Sequence, residues 1–151
     1  MATLNIDSNL KMQALGTAFS KVLRKGDVVL LSGEMGSGKS EFARGVARGL
    51  GITGSVPSPT FTLLNVYDEG RVPLYHFDWY RIQDPEELLQ SGLDEFIGTD
   101  GITLIEWHER ASDMLPLDCV EISISINSDL TRTVSLTRHG DFRQINLEEV
   151  P

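Results

Sequence analysis

Residues 33–40 read Gly-Glu-Met-Gly-Ser-Gly-Lys-Ser. Every fixed position of the phosphate-binding pattern G-x-x-x-x-G-K-[ST] is filled. Gly33, Gly36 and Gly38 open backbone conformations closed to residues with a Cβ. Successive N–H groups, including those of Glu34, Met35 and Ser37, can then turn inward around phosphate oxygens. Lys39 supplies a point charge for β- and γ-phosphates, and Ser40 a hydroxyl for Mg²⁺. A helix opening here and running on through Glu41 would aim its positive end at the same anion.

A nucleoside triphosphate also needs a second hold on Mg²⁺ and a group that positions the attacking atom. Two acids stand at suitable places. Asp78 falls late in the apolar segment Leu74-Tyr75-His76-Phe77-Asp78, and Glu106 closes Ile102-Thr103-Leu104-Ile105-Glu106. Either carboxylate can bind Mg²⁺ directly, bind it through water, or act as a base, and the residues alone leave that assignment open. Ser58 and Thr60 follow in a proline-containing loop, where a hydroxyl can sense the γ-phosphate as switch loops do; a plain turn is the competing reading. Strand alternation turns Trp107 away from Glu106, toward a rim or interface position. His76 alternates with Asp78 and suits a supporting or packing role. His108 and His139 show no ligand-like spacing. Neither a Cys/His cluster for zinc nor a nucleophile–base pair for acyl transfer is evident.

The elements that must position these groups can be read from the periodicity. Leu4–Ile6 reads as a short strand, and Ser8 or Asn9 caps a helix through about Arg24 that Gly26 ends. Asp27–Ser32 is a buried strand, and Phe42, Val46 and Leu50 recur at helical spacing up to Gly49 and Gly51. Phe61–Asp68 and Val72–Tyr80 form a hairpin across Glu69-Gly70-Arg71. Asp84-Pro85-Glu86-Glu87 starts a short helix that stops near Gly92. Ile102–Glu106 is a buried strand, a helix or loop spans His108 to Met114, and Cys119–Asn127 with Thr131–His139 make a second hairpin. The order strand, glycine-rich loop, helix predicts an α/β fold. It is a single P-loop NTPase domain over residues 1–151, with a mixed parallel/antiparallel sheet flanked by helices and the last ten or so residues as a tail.

With 151 residues the chain can bury a real core. Asp and Glu number 22 against 13 Lys and Arg, a formal charge of −9, so the surface as a whole repels nucleic acid. A local basic group, Lys21, Arg24, Lys25, Arg44 and Arg48, reads as a solvated helix face. Any nucleic acid in its pathway is expected to be held by another subunit. The single cysteine, Cys119, excludes an internal disulfide, and with no signal-peptide pattern and no membrane-length apolar run this fits the cytoplasm.

The phosphate loop, then Ser58-Pro59-Thr60-Phe61-Thr62-Leu63, then His76-Phe77-Asp78-Trp79-Tyr80-Arg81, then Ile105-Glu106-Trp107, taken together over about residues 5–140, resemble the TsaE (YjeE) family. That family is the bacterial ATPase subunit of tRNA threonylcarbamoyladenosine synthesis. The resemblance implies slow ATP hydrolysis with Mg²⁺ and work with two protein partners, TsaD and TsaB. TsaD transfers the threonylcarbamoyl group to the adenosine beside the anticodon of tRNAs reading codons that begin with A, so tRNA is met only through the complex. Carried over by residue, it implies Lys39 on the phosphates, Ser40 and Glu106 on Mg²⁺, Asp78 for hydrolysis and Thr60 as a switch-like threonine. It places Trp107 near the nucleotide or a partner, and Asn9 and Arg132 near the adenosine end. Three positions depart from the family: Glu34 where Asp is frequent, Trp79 in place of an aliphatic residue, and His108 where proline is common. Trp79 is expected to bear on the partner surface.

Overall fold

The structure is a computed structural model that describes residues 3–57 and 62–145. Strands β1 (Thr3–Ile6), β2 (Val28–Ser32), β3 (Leu64–Tyr67), β4 (Leu74–Asp78), β5 (Ile102–Glu106), β6 (Cys119–Ile126) and β7 (Arg132–His139) accompany helices α1 (Asn9–Ser20), α2 (Lys39–Gly49) and α3 (Glu86–Ser91). Two 3₁₀ segments, Leu93–Phe96 and His108–Met114, complete the set. All strands join one seven-stranded sheet in the order β1-β7-β6-β2-β5-β4-β3. Strands β6, β2, β5 and β4 run parallel, while β1 and β3 pair antiparallel at the two edges and β7 pairs antiparallel with both β6 and β1. The mixed sheet and both expected hairpins are therefore present.

The central strands are apolar at almost every position because helices or loops cover both faces. Val29, Leu31, Leu74, Ile102 and Leu104 pack with Phe19, Phe42 and Val46 of α1 and α2 in one cluster. Val28, Leu30, Tyr75, Phe77 and Ile105 pack with Leu88 of α3 in the other. The two-residue period of a strand decides which face each side chain joins. His76 and Asp78 follow Leu74 on the α1/α2 face, and Glu106 follows Ile102 and Leu104 there.

Helix α1 starts at the Ser8 cap, whose hydroxyl accepts from the Lys11 N–H at 3.1 Å. It ends at Ser20 rather than near Arg24: tighter turns carry Lys21 to Leu23, and Gly26 follows with φ +94°. Trp79 corrects a second expectation. It is completely buried, edge-on to Phe77 with ring centroids 5.7 Å apart, so it fills the core and does not form part of the surface. The segment from Ser58 to Phe61, with the switch-like Thr60, lies outside the described residues, as does the end of the chain from residue 146.

Helices α1 and α2 approach through small residues. A Cβ on Gly45 would lie 2.0 Å from the Gln13 carbonyl oxygen, and one on Gly16 would lie 2.3 Å from that of Phe42. This spacing holds the start of α1, with Asn9, beside the phosphate loop. Gly45→Ala gains helix propensity of about 1 kcal/mol, but the overlap with a backbone oxygen outweighs it, and a net loss of about 1–3 kcal/mol is expected. Gly54→Ala, whose nearest neighbour stands 3.8 Å away, is expected to stay within about 0.5 kcal/mol. Urea unfolding of the two variants checks this; equal stability would show that the helices are not held by close contact.

Candidate nucleotide-binding site

The loop from Gly33 to Gly38 joins the end of β2 to the start of α2. Gly36 and Gly38 carry φ of +82° and +117°, where a side chain is strained. Gly33 has no room for one: its Cβ would lie 2.6 Å from the Ile124 carbonyl oxygen. Helix α2 begins at Lys39, with the Phe42 N–H closing on the Gly38 carbonyl at 3.0 Å. The unsatisfied N–H groups of its first turn face the cleft above the loop.

That cleft is a cavity of about 320 Å³. It is lined by Asn9 of α1, by Met35, Gly36 and Gly38 of the loop, by Lys39, Ser40 and Glu41 of α2, and by Asp78, Glu106 and Trp107 at the strand ends. Register builds the acidic wall. Asp78 and Glu106 are direct Cα partners across β4 and β5, and Leu31, next to the last residue of β2, partners Glu106. The carboxyl ends of three parallel strands thus finish level beside the loop, where ligands of such sheets bind. Lys39, Asp78 and Glu106 are 7%, 4% and 4% exposed. Lys39 Nζ lies 4.0 Å from Glu106 Oε1, His76 Nε2 lies 2.8 Å from Glu106 Oε2, and Asp78 Oδ1 accepts from the Tyr80 N–H at 2.9 Å.

Trp107 is not where strand alternation puts it. Its φ of +61° reverses the chain immediately after β5, so the ring turns back over the site. Lys39 Nζ stands 4.7 Å from the Trp107 ring centroid, and the Tyr80 ring packs on it at 4.8 Å. A left-handed tryptophan costs about 1–2 kcal/mol, which the aromatic and cation–π contacts offset. Such strain beside a buried lysine marks a functional position.

Other expected residues sit differently. Glu34 is exposed and outside the cavity wall, and Gly33 lines a neighbouring hollow with Ser32, His108 and Glu121. Ser37 is buried, with its N–H donating to the Glu34 carbonyl at 3.1 Å, so that N–H closes the loop on itself. Arg132 does not line the cavity. Its guanidinium donates to the carbonyls of Ser37 at 3.0 Å and Gly36 at 3.3 Å, bracing the loop. Carbonyls that accept from Arg132 hold their peptide planes, and with them the N–H groups of the next residues. Glu41 accepts from Gln13 and Arg44, each at 2.5 Å, and ties α2 to α1.

The periodicity gave no sign of a second polar cluster on the opposite face. Glu121 of β6 accepts from the Ser32 hydroxyl, lies 2.9 Å from His139 Nε2, and lies 3.4 Å from His108 Nε2. His108 beside it holds the Glu121 carboxyl down to about 2. Reciprocally, the hydrogen bond to Glu121 raises the His108 pKa against the opposing effect of burial. Ser32, Glu121 and His139 meet because β6 pairs both β2 and β7, and the 3₁₀ segment after β5 brings His108 to them.

A seven-stranded mixed sheet with a glycine-rich loop between a central strand and a helix defines an α/β protein of the P-loop class. The family model described as "Threonylcarbamoyl adenosine biosynthesis protein TsaE" matches residues 6–134, and the chain belongs to that family. It is 39% identical to the tRNA threonylcarbamoyladenosine biosynthesis protein TsaE of Bacillus subtilis, over 98% of this chain and 90% of that protein. To the protein of the same name from Treponema pallidum it is 41% identical, over 80% and 89% of the two chains. The crystal structure of Bacillus subtilis YdiB superposes with a TM-score of 0.81 at 32% identity, covering 93% of this chain and 86% of that one. Among the described residues no helix is long and apolar enough to cross a membrane.

The Glu121 cluster generates a pH prediction. A carboxylate held below its unfolded value stabilises the fold above about pH 4.5 and loses that contribution as pH falls toward 2. A histidine raised by its partner contributes fully below about 6.5 and loses the contribution as pH rises through its folded value. The stability difference between wild type and Glu121→Gln is therefore expected to be largest between about pH 4.5 and 6.5 and to shrink on both sides. Urea midpoints measured from pH 3 to pH 9 test it; a difference independent of pH would show that the cluster is not linked to folding.

Proposed function

We propose that this chain binds ATP with Mg²⁺ and hydrolyses it, as the nucleotide-driven subunit of a cytoplasmic apparatus that threonylcarbamoylates tRNA, with TsaD- and TsaB-type proteins as partners. One observation carries the reading. Two buried carboxylates, Asp78 and Glu106, are aligned by strand register beside a buried phosphate-loop lysine at the edge of a single cavity. Membership of the TsaE family supports the same reading.

The residues fit the groups required. Gly33 leaves no space for a Cβ and Gly36 opens onto empty space, as a cradle for phosphate oxygens needs. Ser40 and the two carboxylates are hard oxygen donors that line the same cavity. Among the described residues no group of three or more His, Cys, Asp and Glu could hold a metal. A Mg²⁺ bound through one or two protein oxygens takes its remaining ligands from phosphate and water, its usual state in such sites. Ser40 and Glu106 would hold it, and its charge would neutralise that developing on the transferred phosphoryl group.

The protein's part is positioning and electrostatics. Lys39, flanked by Glu106 at 4.0 Å and the Trp107 ring at 4.7 Å, lines the cavity and offers its charge there. Asp78, held by the Tyr80 N–H, keeps one oxygen fixed, and its carboxylate can orient the attacking water or accept its proton. Asn9 and Met35, which line the cleft, are exposed, Met35 at 77%. Water is not fully excluded there, so turnover without partners is slow, and a partner that covers this rim would raise it.

Lys39→Ala is expected to weaken ATP binding by about tenfold or more, while Asp78→Ala keeps affinity within about threefold and loses about a hundredfold in turnover. Calorimetry and phosphate release, with and without the two partner proteins, provide the readout. Normal hydrolysis by Asp78→Ala would remove its assigned role. Phosphate found on an added acceptor rather than free would replace the ATPase with a kinase.

A further inference from the structure

Glu106 has two oxygens with different neighbours. Oε1 lies on the Lys39 side at 4.0 Å, and Oε2 lies 2.8 Å from His76 Nε2. Register brings the histidine there. His76 is the Cα partner of Leu104 and Asp78 that of Glu106, so His76 and Glu106 are diagonal neighbours on one face of β4 and β5. A residue offset by two on the same face of the adjacent strand is within reach of two long side chains, as the 2.8 Å contact shows. His76 is 1% exposed, and among the described residues its Nδ1 is buried without a hydrogen-bond partner.

That environment selects a tautomer. With the proton on Nε2, the ring donates to the carboxylate and leaves only an unshared lone pair at Nδ1. With the proton on Nδ1, a buried N–H is unpaired and the Nε2 lone pair faces a carboxylate oxygen. The second arrangement loses the hydrogen bond and adds repulsion, so Nε2–H is the donor. A glutamate has three side-chain torsions, and an isolated one at a strand end samples several rotamers. The buried His76 donor favours those that keep Oε2 on the ring.

We propose that His76 is a positioning residue for metal binding. By donating to Oε2 it fixes the Glu106 carboxylate, so that Oε1 stays toward Lys39, in the cavity that Ser40 also lines. The role rests on the Mg²⁺-nucleotide reading given above. His76 touches neither nucleotide nor metal; it acts through Glu106, as partners of metal-ligating side chains do.

Mn²⁺ is the probe, with a slowly hydrolysed ATP analogue, in wild type, His76→Leu and His76→Gln. Mn²⁺ affinity is read by electron paramagnetic resonance, and nucleotide affinity without metal by calorimetry in chelator. His76→Leu fills the space but donates nothing. It is expected to bind Mn²⁺ about 10–100-fold more weakly while metal-free nucleotide affinity stays within about threefold. His76→Gln, whose amide reaches the position of Nε2, is expected to recover most of the loss. Unchanged Mn²⁺ affinity in His76→Leu overturns the proposal, as does an equal fall in both affinities or a glutamine that restores nothing. Should the leucine variant not fold, long-range ¹H–¹⁵N correlation in the wild-type protein decides: an Nε2 without a proton overturns the proposal, and a proton on Nε2 supports it. Wild type that holds no Mn²⁺ with nucleotide overturns the ATPase reading itself, a separate outcome.

Discussion

Three ionisable side chains, Lys39, Asp78 and Glu106, are withdrawn almost completely from water at the carboxyl edge of the sheet. A charge buried without partners costs several kcal/mol, and the surrounding structure supplies those partners. Glu106 is shared between Lys39 and His76, and Asp78 accepts from the chain two residues on. Level strand ends make the sharing possible. Were β4 shifted by one residue against β5, His76 and Asp78 would move to the α3 face and Glu106 would lose its histidine.

The glycines act on the same constraint from the other side. The close approach of α1 and α2 through Gly16 and Gly45 sets where α2 begins, and so where Lys39 reaches. Arg132, from the far hairpin, holds the loop by two of its carbonyls. The antiparallel additions to the sheet therefore have a purpose beyond covering its edge: β7 delivers the side chain that steadies the phosphate loop. Trp107 closes the arrangement. A left-handed residue between β5 and the following 3₁₀ segment brings an aromatic face under the lysine, where a continued strand would have carried it away.

Much of this is legible in the sequence, for local reasons. The glycine–lysine–serine spacing, the apolar strand before it and the helical period after it depend on neighbouring residues, as do the turns at Glu69-Gly70-Arg71 and the start of α3. Asp78 and Glu106 were recognisable as acids closing apolar strands. Their pairing was not, because strand order is a contest among all seven strands for burial. Strand alternation misplaces Trp107, which the family resemblance puts near the nucleotide, because alternation assumes that a strand continues and nothing local announces a positive φ at a tryptophan. Trp79 was assigned to the surface because a departure from family pattern does not reveal burial.

The sequence by itself determined the class of fold, the phosphate loop and the identities of the charged groups, since these follow from residue type and short-range period. The tertiary structure alone decided which atoms face one another. His76 on Glu106, Lys39 over Trp107, Arg132 behind the loop and Glu121 between two histidines all join residues distant in the chain. Such contacts are fixed by strand register and helix spacing, which the whole core sets cooperatively through close packing and no short segment encodes.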